Sequence, residues 1–474
     1  MPDASTAGAL HDAWRTDFTT PQASVKDRMA RGKALREKVP HASHAAFRPA
    51  SNRADPVAIL EGQARTRLPF LVPIRYARML ASPFAYLRGS AAVMAPDLAH
   101  TPVTGLTVQA CGDAHVANFG VFASAERNLV FGINDFDETL PGAWEWDVKR
   151  LATSAVVAGR FLGANKTLCE EAARTVAASY RRHMREYARM SQLEVWYATI
   201  DEKGVLDALT PDARDDAKRI MAKARRRNHL QVLEKKAQLV DDQHHIVEEK
   251  PLIVRETHTV EGHPIAKVVD HTLHLYFDSL PENRKVLFAR YRVVDVARKV
   301  VGVGSVGTRC WVLLLSGNDA NDDPLFLQYK EAQPSVLAPY SKAAPWKCEG
   351  ERVVVGQRII QGAPDIFLGW GIQIDGTHFY IRQLRDMKGS WEFHPETTQV
   401  KRLAEYCRLC GWALALAHAK SGDAALIAGY LGKSEAMDDA VARFAEGYAQ
   451  QNDRDYNALV KAAKSKRVPV AKVA

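Results

Sequence analysis

Asp113, Asn118 and Asp135 are the residues of this chain whose types and spacing best suit chemistry. They fall in the short runs Cys111-Gly-Asp-Ala-His-Val-Ala-Asn118 and Ile133-Asn-Asp-Phe-Asp137. Transfer of a γ-phosphoryl group needs a carboxylate to orient and deprotonate an incoming hydroxyl. It also needs oxygen ligands for the Mg²⁺ that neutralises the phosphates. On this reading Asp113 is the catalytic base and Asn118 and Asp135 are metal ligands. Asp137 is either a further metal ligand or the cap of the turn that follows. Asx residues also cap ordinary turns, so the weight rests on acid, amide and downstream acid occurring together. His115 reads as a hydrogen-bonded loop histidine.

These residues need elements to position them. The apolar run Leu129–Ile133 has the pattern of a strand, and a hairpin would bring Asp135 back beside the Asp113 to Asn118 loop. A second constellation lies some 200 residues on. Gly302-Val-Gly304-Ser305-Val-Gly307 sits between two strand patterns, where peptide N–H groups can approach phosphate oxygens without a Cβ in the way. A lone G-x-G-x-x-G also opens dinucleotide-binding helices. Here the following run, Thr308 to Leu315, lacks helical periodicity, and the acids Asp322 and Asp323 fall in a turn-rich connection. Lys330 closes the strand pattern Leu325 to Tyr329, where an ammonium would reach the phosphates. Glu351 begins the next helical pattern, where it could pair with that lysine. ATP is therefore the expected cofactor alongside Mg²⁺, with Gly302, Gly304, Ser305, Gly307, Lys330 and Glu351 on the nucleotide.

The segment Gly112 to Asn118 resembles the catalytic loop of aminoglycoside phosphotransferase and choline kinase relatives. Asp135-Phe-Asp137 is similar to their metal-binding strand end, and Trp146-Asp147-Val-Lys-Arg150 to the aspartate-bearing helix start that follows. More closely, the chain resembles the bacterial family called domain of unknown function 2252, through Arg78 to Gly89, the Gly112 to Asn118 loop and Gly302 to Gly307. The resemblance implies an α+β, protein-kinase-like two-lobed fold, with Tyr380 to Met387 as strand and hinge beside adenine. The glycine loop and lysine precede the catalytic loop in kinases but follow it here, so the implied fold is circularly permuted. Cys111 stands where the resembled motif usually has histidine.

Composition sets broader bounds. The chain has 474 residues, 47% hydrophobic and 25% charged, enough for a large core and more than one lobe. A net charge of +9 favours anionic ligands without choosing among them. Six cysteines in so long a chain make no disulfide framework, and Cys407-Arg-Leu-Cys410 lies in a helical pattern with no second pair. With no basic leader and no apolar run of membrane-spanning length, a cytoplasmic location and no membrane partner are expected. Arg225-Arg-Arg227 has no interleaved aromatics or reader motif, so no specific nucleic-acid partner is expected.

The expected organisation is an N-terminal helical arm at 1–60 and an α-rich lobe with the catalytic and metal-binding loops at 61–290. A β-rich nucleotide lobe follows at 291–390, then C-terminal helices at 391–474 packing on the α-rich lobe. Residues 253–275 give no clear pattern, and the tail from Lys461 reads as frayed. Asp147 and Arg150 read as an internal brace. Arg78 and Arg88 flank Ser82 to Phe84, either as helix-end charges or to recognise an anionic substrate. The function expected is an ATP- and Mg-dependent phosphotransferase acting on a hydroxyl of a small-molecule, or failing that a protein, acceptor. AMP transfer uses similar parts. The alternatives are a metal-dependent hydrolase built on Asp113, His115, Asp135, Asp137 and His418, and a nucleotide-binding pseudokinase scaffold. Neither the acceptor nor the oligomeric state is legible.

Overall fold

The computed structural model describes residues 18–471 apart from 228–232, 235, 241, 242, 260, 261, 319–322, 344, 385, 386 and 397. The first part of the expected arm, Asp322, and the hinge positions Arg385 and Asp386 lie outside the described residues.

The fold is α+β. Five helices open it: α1 (Val25–Lys38), α2 (Pro56–Ala64), α3 (Val72–Met79), α4 (Pro83–Gly89) and α5 (Ala91–Ala99). Local chemistry sets their starts. Ser24, Asp55 and Ser82 each accept a backbone N–H as N-cap, and Pro56 and Pro83 occupy the first turn, where no N–H is needed. Strands β1 (Thr107–Ala110), β2 (Phe119–Ala123), β3 (Leu129–Ile133) and β4 (Leu140–Ala143) follow. β1 pairs with β4, and β2 with β3 as the expected hairpin.

Helix α6 (Trp144–Phe161) is buried on every side over its first sixteen residues. α7 (Lys166–Tyr187), α8 (Gln192–Tyr197), β5 (Ile200–Asp201), α9 (Glu202–Asp207) and α10 (Pro211–Arg226) complete the helical part. Then come β6 (Ala237–Val240), β7 (Gln243–Ile246), β8 (Ile253–Val254), α11 (Ile265–Ser279) and α12 (Glu282–Phe288). α11 takes up the second part of the stretch without a clear sequence pattern, from Ile265 on.

The second layer is a six-stranded antiparallel sheet. It contains β9 (Arg292–Lys299), β10 (Cys310–Ser316), β11 (Pro324–Glu331), β12 (Gly369–Ile372) and β13 (His378–Gln383), in the order β12-β13-β11-β10-β9-β8. β10 and β11 are buried at every position, which explains their nearly unbroken apolar runs. One face packs Trp311, Leu313, Leu327, Tyr329, Phe379 and Ile381 against Tyr276 of α11 and Phe288 of α12. Burying each such side chain contributes roughly 1.5–3 kcal/mol. The other face carries Gln328, Lys330, Tyr380 and Arg382, set side by side by the pairs Gln328↔Arg382 and Lys330↔Tyr380. Farther out on that face, Val312, Leu314 and Phe326 are covered by Leu233 and Ile246.

Helix α13 (Glu349–Gln361) sits between this sheet and the helical core. β14 (Gly389–Ser390) joins β2 at the edge of the smaller sheet. The chain closes with α14 (Arg402–Ser421), α15 (Ala424–Leu431) and α16 (Ala436–Lys464), where α14 packs on α7, and α15 on α1. The tail is not frayed as its composition suggests. α16 runs to Lys464, Arg467 pairs with Asp55 and Glu61, and Val468 is buried. Among the described residues no helix is long and apolar enough to cross a membrane.

Candidate active site

The loop Cys111 to Asn118 leaves β1 and ends in a single 3-10 turn before β2. Its shape is fixed from behind. Asp147, in the first turn of α6 and fully buried, accepts the Cys111 N–H at 2.6 Å on one oxygen and the Gly112 N–H at 3.0 Å on the other. His418 of α14 meets Asp147 at 3.2 Å through Nε2 and the Tyr180 hydroxyl at 2.8 Å through Nδ1. Ser154 accepts the Val116 N–H, and the Tyr406 hydroxyl donates to the carbonyls of Val116 and Phe119. Gly112 has φ +81°, and a Cβ there would overlap the Glu138 carbonyl. The loop thus has one allowed course, and Asp113 is thrown forward from it.

Asp113 is held by Arg150 rather than left to Asp147. Arg150 Nε donates to Asp113 Oδ1 at 2.6 Å, and a second guanidinium nitrogen contacts the same oxygen. The expected Asp147–Arg150 brace is therefore two devices: Asp147 fixes the loop backbone and Arg150 aims the carboxylate. Asp113 Oδ2 has only His115 Nε2 nearby, at 3.8 Å. Burial raises the Asp113 pKa, against the opposing charge of Arg150.

Asn118 donates through Nδ2 to the Asp113 carbonyl at 2.8 Å, and its own carbonyl accepts the Asn134 N–H. The pair Phe119↔Ile133 sets the two chains in register, so Asp135 emerges beside Asn118. Burial, then the neighbouring Asp137 charge, raises the Asp135 pKa. At Asp137 burial acts the same way, but the Lys330 charge and hydrogen bonds from Lys330 and Tyr380 outweigh it and hold the carboxyl low.

Asp137 is where the two sequence-distant patches meet. Lys330 at the end of β11 forms an ion pair with Asp137 Oδ2, the Tyr380 hydroxyl donates to Oδ1 at 2.8 Å, and Ser305 Oγ donates to Oδ2 at 3.1 Å. Lys330 is 2% exposed and its pKa is raised, the Asp137 charge overcoming burial. Glu351 lies in the first turn of α13, where Glu349 pairs with Arg352, and the ion pair that Lys330 forms is with Asp137.

The glycine run connects β9 to β10 across adjacent antiparallel strands. Gly302 and Gly307 take φ +64° and +93°, and a Cβ on Gly304 would come 3.1 Å from the Arg88 carbonyl. The loop's carbonyls are occupied: Gly302 O accepts from Arg78, Val306 O from Arg67, and Gly307 O from the Leu68 N–H at 2.8 Å. The N–H groups of Val306 and Thr308 turn inward to Val303 and Ser305, so only part of the expected amide cradle remains for a ligand.

A cavity of about 130 Å³ opens between the two patches. Asp113, Asn118, Asp135, Asp137, Gly302, Gly304 and Ser305 line it, together with three arginines from the opening helical segment, Arg67, Arg75 and Arg88. Sequence reasoning weighed Arg88 but missed Arg67 and Arg75. Their one signal, arginines spaced through an otherwise apolar helical stretch, reads equally as surface charge.

The hydrolase cluster is not assembled. His418 is engaged by Asp147 and Tyr180, and among the described residues no group of three or more His, Cys, Asp or Glu side chains is placed to hold a metal ion.

Residues 67–462 match the profile of a family described as an uncharacterized protein conserved in bacteria, DUF2252. No curated protein and no solved structure matches the chain.

Proposed function

The chain belongs to this bacterial family, and we propose that it is an ATP- and Mg²⁺-dependent phosphotransferase with a circularly permuted, protein-kinase-like fold, acting on the hydroxyl of a small-molecule acceptor. One observation carries the reading: Ser305 of the glycine loop and Lys330 of the sheet both reach Asp137, two residues beyond Asp135. These are the parts that phosphoryl transfer from a nucleotide requires on the two walls of one cleft.

The order of elements supports permutation. Glycine loop, lysine strand, α13 and two further strands follow one another as in a kinase nucleotide lobe. The end of α14 then lies on the start of β1, where Ser421 Oγ accepts the Gln109 N–H at 3.0 Å. Asp147, accepting two loop amides from a helix start, matches the resembled aspartate in position and task.

Each residue has a definite task. Asp113, with Oδ1 tied to Arg150, keeps Oδ2 for the acceptor hydroxyl, and its raised pKa suits a group that must take a proton. The hydroxyl oxygen bonds to the γ-phosphorus, its proton passes to Asp113, and the bond to the β–γ bridging oxygen breaks with the electron pair leaving on ADP. Asn118 and Asp135 supply an amide and a carboxylate oxygen on one wall. Burial and the neighbouring Asp137 charge raise the pKa of Asp135, a strain on its carboxylate that a hard cation beside it would relieve. Mg²⁺ commonly takes only one or two carboxylates and fills its remaining positions with phosphate and water, and when bound it would neutralise phosphate charge. Lys330 steadies the phosphates once it exchanges Asp137 for them.

Calorimetric titration with Mg-ATP, followed by mass analysis of nucleotide products, tests the reading. Binding and release of ADP are expected. Absence of Mg-ATP binding would overturn it, and AMP as product would change the transferred group.

A further inference from the structure

Beyond the tip of the glycine loop the cleft is walled by guanidinium groups that form no ion pair among the described residues. Arg75, 1% exposed, uses one nitrogen on Gln63 Oε1 and the Gly89 carbonyl, and its buried Nε and Nη1 have no partner. Arg67, 8% exposed, uses one nitrogen on the Val306 carbonyl and leaves a buried Nε unpartnered. Arg88 also has a buried, unpartnered Nε, and its guanidinium carbon lies over the Phe84 ring, 5.9 Å from the centroid. A buried charged donor left unsatisfied is costly, so three together in one cavity point to a ligand that satisfies them.

Their position separates that ligand from the nucleotide phosphates. Lys330 and Ser305 converge on Asp137 at the sheet side of the cleft. Arg88 instead sits nearest in charge to Asp113 and then Asp135, and its carbonyl abuts Gly304 at the loop tip. Arg75 stands behind it, with Arg67 as its nearest charge and no acid beside it. Burial pushes all three guanidinium pKa values below their ordinary value, against the charges of Glu138 and Glu331 at Arg67 and of Asp113 and Asp135 at Arg88. Guanidinium donors suit the oxygens of a tetrahedral oxyanion, whereas a carboxylate is commonly served by one arginine alone.

We infer that Arg67, Arg75 and Arg88 form the acceptor subsite and that the acceptor is a phosphorylated small molecule, whose phosphate they grip while its hydroxyl faces Asp113. This rests on the phosphotransferase reading for the second half of the statement only; the anion subsite stands without it.

Inorganic phosphate is the probe. The full chain and the variants Arg75→Met, Arg88→Met and Lys330→Met are titrated with phosphate, with malonate and, separately, with Mg-ATP, read by thermal shift and calorimetry. Phosphate is expected to bind the parent and Lys330→Met alike and to bind either arginine variant at least about tenfold more weakly, the loss of one charge-assisted bond. Mg-ATP affinity is expected to stay within about twofold in Arg88→Met and to fall in Lys330→Met. No phosphate binding by the parent, or phosphate binding lost with Lys330 and kept without the arginines, would overturn the subsite. Equal loss of Mg-ATP and phosphate in Arg88→Met would give the arginines to the nucleotide instead, and tighter binding of malonate than of phosphate would overturn the phosphate assignment. Should Arg75→Met fail to fold, the partly exposed Arg88 decides. Loss of Mg-ATP binding throughout, with the phosphate pattern intact, would sink the phosphotransferase reading and leave the anion subsite standing.

Discussion

Arg53 and Arg75 belong to the same opening helical segment, and both are largely buried, yet their surroundings are opposite. Arg53 is gripped by Asp97 and Asp455, with four nitrogen–oxygen contacts between 2.7 and 2.9 Å, and Asp97 is further tied to the Tyr448 hydroxyl. Arg75 has two neutral acceptors and no acid. Behind the loop Asp147 likewise satisfies two amides and a histidine. Inside the cleft the carboxylates of Asp113 and Asp137 are matched by Arg150 and Lys330, and it is the guanidinium groups of Arg67, Arg75 and Arg88 that form no ion pair among the described residues.

The contrast can be broken most sharply at Asp113. Asp113→Asn should lower turnover by about 10²–10⁴-fold, the usual share of a positioned base, with Mg-ATP affinity close to the parent's and a lower melting temperature, because the buried Arg150 loses its counter-charge; full turnover would remove Asp113 from its role. Next in size is the frame. Arg53→Ala strands two buried carboxylates and should cost about 3–5 kcal/mol in urea unfolding, whereas Arg75→Met removes a cation with no ion pair and should leave stability equal or higher. Equal losses would erase the distinction.

A smaller effect separates the regions by pH. Burial, helped by the charges of Lys149 and His41, lowers His44 from 6.5 to about 3 in the fold. Between those values the unfolded chain binds the extra proton, so stability is fully present above pH 6.5 and falls as the solution is acidified. The loss attributable to His44 is about 2 kcal/mol between pH 6.5 and 5. In His44→Gln that share of the decline should vanish, seen as converging urea midpoints for variant and parent toward pH 5. Least of all, Ser305→Ala removes one hydrogen bond to Asp137, worth about 0.5–1.5 kcal/mol, and should change Mg-ATP affinity by no more than about tenfold.

What the sequence discloses follows the range of the interactions involved. Strands β9 to β11, helix α13 and the β2–β3 hairpin are readable because apolar period and turn residues are local signals. The meeting of Asp113, Asn118 and Asp135 is readable for the same reason, since one hairpin makes it. Arg150 is another matter. Lying three positions after Asp147 on one helix, it looks like that residue's neighbour, but Asp147 is spent on backbone amides of another segment and Arg150 is free to reach Asp113. Lys330 shows the same limit, as its strand end is legible while its ion-pair partner Asp137 comes from a distant loop. Arg67 and Arg75 belong to the cleft only through the docking of α2–α4 under the glycine loop, which no periodicity records.

The brace behind the catalytic loop draws on both ends of translation. Asp147 is polymerised soon after the loop it supports, but its partner His418 lies 271 positions downstream, and Tyr406 lies 290 positions beyond Val116. A ribosome that has released the first three strands and the turn after them has released Asp113, Asp135 and Asp137 without the helix that secures the loop. The loop therefore lacks its full brace, by the order of synthesis, until α14 emerges and docks.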